Sequence, residues 1–246
     1  MIDFKKILKL DKFNLCVDHK FCESHLWTDK KEYLNTLSSL AITGFGFYGL
    51  FNNSPNFIIN LLYSFLISNG IFSALNHWYG VDGWKYADGL SMLLSVSMGL
   101  LYLLNLMVNY SLISSSILKL VYIFAPLILF IPIFMEKYST IFEIVFLVIS
   151  LSLLSFIPIT LKIKNMILDN NHYIIDFALK RFKRGALFVV IGAILWFGSE
   201  PFCRCPDICD KTKKLIAMTC THVFWHIFSG YGFYLMIDSF DRIASL

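Results

Sequence analysis

Seven stretches of this chain, near residues 34–52, 56–77, 88–108, 113–135, 140–161, 184–200 and 215–237, are apolar over about the 20 residues that a helix needs to cross roughly 30 Å of hydrocarbon. The first and sixth are the weakest, being short or rich in Gly, Ser and Thr. Inside a bilayer no water is available to a backbone N–H or C=O, so a segment exposed to lipid has to satisfy its own hydrogen bonds as a helix. The chain therefore reads as an all-α integral membrane protein, a seven-transmembrane helix bundle. One domain covers 34–237, after an extramembrane amino-terminal segment at 1–33 and before a short tail at 238–246. Composition agrees: 57% of the 246 residues are apolar or aromatic, and the mean hydropathy of +0.65 lies outside the range of ordinary soluble domains. The opening "MIDFKKILKLDKF" alternates Lys with apolar residues and lacks the continuous apolar core of a cleavable signal.

Charge excludes more than it identifies. The net charge is +4, with the basic residues gathered at membrane edges rather than in a nucleic-acid-binding stripe. Seven crossings put the amino-terminal segment and the loops after runs 2, 4 and 6 on one face. That face carries thirteen Lys and Arg against seven on the other, with Lys119 inside a run. The excess of positive charge favours a cytosolic amino terminus, although six acidic residues are interspersed in the segment that supplies most of it.

Polar residues at membrane depth cost several kcal/mol each, so those present tend to be paired and functional. Three of the six histidines, His77, His222 and His226, fall in or beside apolar runs; His19, His25 and His172 lie in polar segments. His222 and His226, four residues apart in "HVFWH", project from one helical face and suit two ligands of one metal, or two rings bonded to neighbouring helices. Ser73 and His77 share a face of the second run in the same way, and Asp88 opens the third. Run 2 ends, and runs 3 and 7 begin, on one membrane face, so all five residues are expected at similar depth. Three imidazoles with an open fourth position match a catalytic zinc arrangement. Asp88 suits a general base, or a partner orienting a ligand histidine. Ser73 suits an oxyanion donor, or a hydroxyl bonded to the carbonyl four residues back. Asp82 competes with Asp88 but sits in the turn-like "GVDG".

Together these residues resemble the alkaline ceramidases, seven-span zinc amidases of the CREST superfamily. The resemblance rests on S-x-x-x-H at Ser73 and His77, the Asp eleven residues later, and the late H-x-x-x-H. "FCESHLWTDKKEYLNTLSSLAI" and "LWFGSEPFC" add to it, being similar to the family's entry into the first helix and its close of the sixth. It implies zinc on His77, His222 and His226, with catalytic roles for Ser73 and Asp88. The substrate implied is ceramide, hydrolysed to a sphingoid base and a fatty acid. It further implies a Cys22–Cys203 disulfide and a calcium site in the amino-terminal segment. For calcium, Glu23 and Glu32 match and Asp18 is a substitute ligand. Lys20-Phe21 replaces the family's Asp-Trp, the family's Asn falls at His25, and the spacing from Cys22 to Glu32 is shorter by two.

Five of the six cysteines, Cys16, Cys22, Cys203, Cys205 and Cys209, fall on the amino-terminal face, and Cys220 lies close to it. Bridges there require an oxidising compartment, so the cysteines oppose the lysine count. With the family's topology they favour a lumenal or extracellular amino terminus, in an endomembrane or the plasma membrane. A second bridge from Cys16 to Cys205 or Cys209 is one expectation, and "CRCPDIC" lacks a fourth partner for a metal. Two rival functions stay open. One is a related lipid hydrolase with another substrate, such as a glycosylphosphatidylinositol anchor. The other is a non-enzymatic seven-span receptor with a structural zinc, against which Ser73 and Asp88 argue. Glu143 in the fifth run has no assigned role.

Overall fold

The computed structural model describes residues 21–27, 31–53, 55–124, 139–167, 171–203 and 209–246, and these are helical with no strand among them. After a 3-10 turn at Cys22–His25 come α1 (Tyr33–Asn52), α2 (Phe57–Tyr79), α3 (Asp82–Asn109), α4 (Ser115–Phe124) and α5 (Ser139–Ser152). A 3-10 turn at Leu153–Ser155 leads into α6 (Phe156–Lys164), followed by α7 (His172–Phe197), α8 (Glu200–Cys203), α9 (Asp210–Met218) and α10 (Thr221–Ala244). Three helical stretches are long and apolar enough to cross a membrane: Phe57–Tyr79, Gly83–Asn109 and Val145–Lys164. The helices α1, α7 and α10 have 20, 26 and 24 residues but carry polar or charged residues along their length. Of the fourth run, only Ser115–Phe124 lies among the described residues.

Local chemistry explains where the helices begin and break. Asn56 caps α2, its side-chain oxygen accepting from the N–H groups of Ile58 (3.0 Å) and Ile59 (3.3 Å). At the other end Gly80 takes the left-handed conformation (φ 62°), and its N–H donates to the carbonyl of Asn76. This tight stop lets α3 begin at Asp82, so the end of α2 and the start of α3 share one end of the bundle. Pro158 has no N–H and crowds the carbonyl four residues back, which accounts for the 3-10 turn that interrupts the fifth run at Leu153–Ser155. The run expected at 215–237 is divided at Cys220, a non-glycine residue at φ 51°, and its second part continues as helix to Ala244. The sixth run, expected from 184, belongs to α7, which starts at His172 because the charged turns before the run are helical as well.

Lipid is as apolar as leucine, so close packing rather than hydrophobicity draws such helices together. Glycine allows it at the α7–α10 crossing, where a Cβ on Gly185 would lie 2.6 Å from the carbonyl oxygen of Gly232, and one on Gly232 2.7 Å from that of Gly185. α10 also packs against α1 and α2, which places it at the centre of the site-bearing helices. Phe156, Phe182 and Phe240 meet in the interior, with ring centroids 4.5–6.0 Å apart. Large apolar side chains such as Leu37, Phe51, Phe57 and Ile194 point outward, a liability in water and the normal state against lipid.

Candidate metal centre and active site

The candidate site lies at the end of the bundle where α2 stops and α1, α3 and α10 begin. His77 comes from the last turn of α2, while His222 and His226 come from the first two turns of α10. The ring centroids of His77 lie 4.9 Å from those of His222 and 5.0 Å from those of His226, and the α10 pair is 4.6 Å apart. All three are buried, and one nitrogen from each falls within 4.8 Å of the others. Among the described residues this is the group of His, Cys, Asp and Glu side chains that can hold a metal ion.

Each ring is oriented through Nδ1. Glu32 Oε2 lies 2.5 Å from His77 Nδ1, Glu200 Oε1 lies 3.0 Å from His222 Nδ1, and Ser38 Oγ lies 2.8 Å from His226 Nδ1 with Ser39 Oγ at 3.3 Å. Fixing one nitrogen of an imidazole to a carboxylate or hydroxyl sets the tautomer and leaves the other nitrogen basic, which is how metal-binding histidines are prepared. The remaining nitrogen on each ring is Nε2. Three imidazoles with carboxylate and hydroxyl support suit zinc.

Asp88 does not orient a ligand ring; Glu32, Glu200, Ser38 and Ser39 do that. Asp88 instead accepts from Asn69 Nδ2 on one oxygen (3.0 Å) and Asn76 Nδ2 on the other (3.4 Å), with the Ser73 hydroxyl close to the carboxylate. Ser73, buried, accepts from Ser39 Oγ at 3.1 Å. Ser73 is thus linked through Ser39 to His226, with the Asp88 carboxylate beside it. Asp82 opens α3 and its side chain lies outside the described residues, as does that of Glu143.

The two glutamates expected at calcium have other partners. Glu23 Oε1 accepts from Leu34 N (2.6 Å) and Trp27 Nε1 (3.1 Å), and Oε2 accepts from Asn35 N (2.7 Å), so Glu23 caps the free N–H groups that begin α1. Glu32 accepts from Phe21 N (3.2 Å) and Asn35 Nδ2 (3.4 Å) besides facing His77. Asp18 lies outside the described residues. Cys22 is bonded to Cys203, and Cys209 and Cys220 are free thiols; Cys16 and Cys205 lie outside the described residues.

Sequence reasoning missed Asn69, Asn76, Ser38, Ser39 and Glu200. Asn69, Ser73, Asn76 and His77 make a polar stripe at helical spacing within an apolar run, a signal readable in the chain itself. Glu200 precedes Pro201 in a loop-like stretch, and nothing local marks it as facing a histidine 22 residues later.

No curated protein and no solved structure matches the chain. A family model described as Ceramidase matches residues 17–245, nearly its whole length. The chain belongs to the Ceramidase family, hydrolases acting on amide bonds.

Proposed function

We propose that this protein is a zinc-dependent intramembrane amidase that hydrolyses ceramide to a sphingoid base and a free fatty acid. The observation that carries the reading is the convergence of His77, His222 and His226 beside Ser73 and Asp88 in a Ceramidase-family chain. His77, His222 and His226 would hold zinc through Nε2, and the ion would supply Lewis acidity toward the amide carbonyl and make water nucleophilic near neutral pH. Asp88 takes the proton from the attacking water and returns it to the departing sphingoid amine. Ser73 turns its hydroxyl toward the oxyanion as that charge develops, with Ser39 behind it. Asn69 and Asn76 fix both oxygens of Asp88 in the direction the transfer needs.

A narrow apolar gap of about 20 Å³ lies between α2, α3 and α10, lined by residues including Leu62, Leu66, Gly99, Phe233 and Phe240. Phe233 is seven residues beyond His226, about 10 Å along the helix, so the gap marks where the helices part on the inner side of the histidines. The reading keeps seven crossings with the amino terminus lumenal or extracellular, and the Cys22–Cys203 disulfide supports that side as the oxidising one. Calcium fits the donor set poorly. Calcium takes six to eight oxygen ligands, whereas Glu23 Oε1 already accepts two N–H groups and Glu32 is committed to His77. The reading therefore contains one metal.

Purified protein in detergent or vesicles, given ceramide labelled in its acyl chain, is expected to release fatty acid. Release should stop with a zinc chelator and return with added zinc. Turnover unaffected by the chelator would overturn the mechanism. Bound zinc without ceramide turnover would favour another lipid substrate or a receptor.

A further inference from the structure

The two carboxylates that orient His77 and His222 come from distant parts of the chain, yet both rest on one short segment. Glu32 Oε1 accepts from Phe21 N at 3.2 Å while Oε2 faces His77. Glu200 Oε2 accepts from Cys22 N at 3.0 Å while Oε1 faces His222. Two consecutive backbone N–H groups therefore each hold one end of a carboxylate whose other end holds a ligand ring. Between them the Phe21 ring packs on the same two histidines, with centroids 4.8 Å from His77 and 4.5 Å from His222.

The position of this segment is fixed covalently, since Cys22 is bonded to Cys203 at the end of α8, three residues after Glu200. The cross-link spans 181 residues of sequence and adds a covalent tie to the Cys22 N–H bond with Glu200 and the packing of Cys22 against Ala217. Glu23 holds the next residue to the start of α1. The carboxylates are almost fully buried, Glu32 at 6% and Glu200 at 1% exposure, so a lost N–H partner is not replaced by bulk water.

We propose that the backbone N–H groups of Phe21 and Cys22, pinned by the Cys22–Cys203 disulfide, set two of the metal-ligand histidines through Glu32 and Glu200, so that opening the disulfide loosens the metal. Glu32 and Glu200 are positioning residues, since they act on the metal through the histidines. The inference rests on the zinc reading above.

The backbone at Phe21 provides a clean probe. Its φ of −75° already suits proline, so Phe21→Pro removes the N–H without forcing a new conformation, while Phe21→Ala removes only the ring. Zinc content of the purified wild type is measured first. A value near one per chain supports the zinc reading, and a value near zero overturns both that reading and this inference. Zinc release to a chromogenic chelator is then timed for wild type, Phe21→Ala, Phe21→Pro and Cys22→Ser/Cys203→Ser, with circular dichroism confirming the helical fold. Outer partners of metal-bound histidines are worth about 10–100-fold in affinity, so the proline and double-serine variants should release zinc at least about tenfold faster than wild type. Phe21→Ala should fall well short of Phe21→Pro. Where the double variant does not fold, the folded wild type is treated with a phosphine, which is oxidised to its oxide as the disulfide takes two electrons and two protons to become two thiols. Equal release from Phe21→Pro and Phe21→Ala, together with release unchanged by opening the disulfide, would overturn the inference even with wild-type zinc at one per chain.

Discussion

The two ends of the bundle treat polar residues in opposite ways. At the end remote from the histidines, Asp238 on α10 pairs with Arg181 of α7 at 2.5 Å and with Arg242 at 3.0 Å. Arg181 also donates to the Tyr234 hydroxyl at 3.4 Å, and Arg242 lies 4.5 Å from the centre of the Phe177 ring. These charges answer one another. At the histidine end the carboxylates Glu32 and Glu200 face imidazoles instead of guanidinium groups, and one nitrogen from each of the three rings lies within 4.8 Å of the others. Under the zinc reading, the balancing positive charge belongs between those nitrogens. A cluster in which charges pair directly braces helices; a cluster of imidazoles that bring their nitrogens together has the makings of a metal site.

This contrast is sharpened most by removing a ligand. His222→Ala should lower ceramide turnover by on the order of 10³-fold or more and lower bound zinc with it, as turnover and metal analysis on the same preparation would show. Asp88→Asn comes next: a fall of about 10²–10⁴-fold in turnover with zinc content unchanged separates proton transfer from metal binding. Replacing Asn69 and Asn76 by Leu should cost about tenfold in turnover through loss of orientation at Asp88, with zinc retained. A loss of zinc in that variant would instead make the pair part of the ligand scaffold. At the far end Asp238→Asn should reduce stability by about 2 kcal/mol in an unfolding experiment while leaving zinc content alone. Coupling of that change to the metal would break the distinction between the two ends. Calcium should have the smallest effect. A bound ion at 100 times its dissociation constant would add about 2.7 kcal/mol of stability, and titrating calcium into the purified protein is expected to produce no such rise.

What the sequence discloses follows the same division. The grouping of His77, His222, His226, Ser73 and Asp88 is legible in the order of the apolar runs, which sets the end of the second beside the starts of the third and seventh, and those ends do meet in the structure. The partners of the rings depend instead on how helices rotate and pack. That is why Glu200, Ser38 and Ser39 are invisible locally, and why the bonds of Glu23 to the start of α1 and of Glu32 to His77 are invisible as well. Helix limits escape hydropathy for a related reason. The charged turns from Lys180 to Arg184 are as helical as the apolar residues after them, and the break at Cys220 is a backbone event with no apolar signature.

The most direct test is metal analysis of purified wild type against His77→Ala. One zinc per chain in the wild type and a clear loss in the variant is the predicted result. Wild type without zinc, or a variant that retains it in full, would contradict the account.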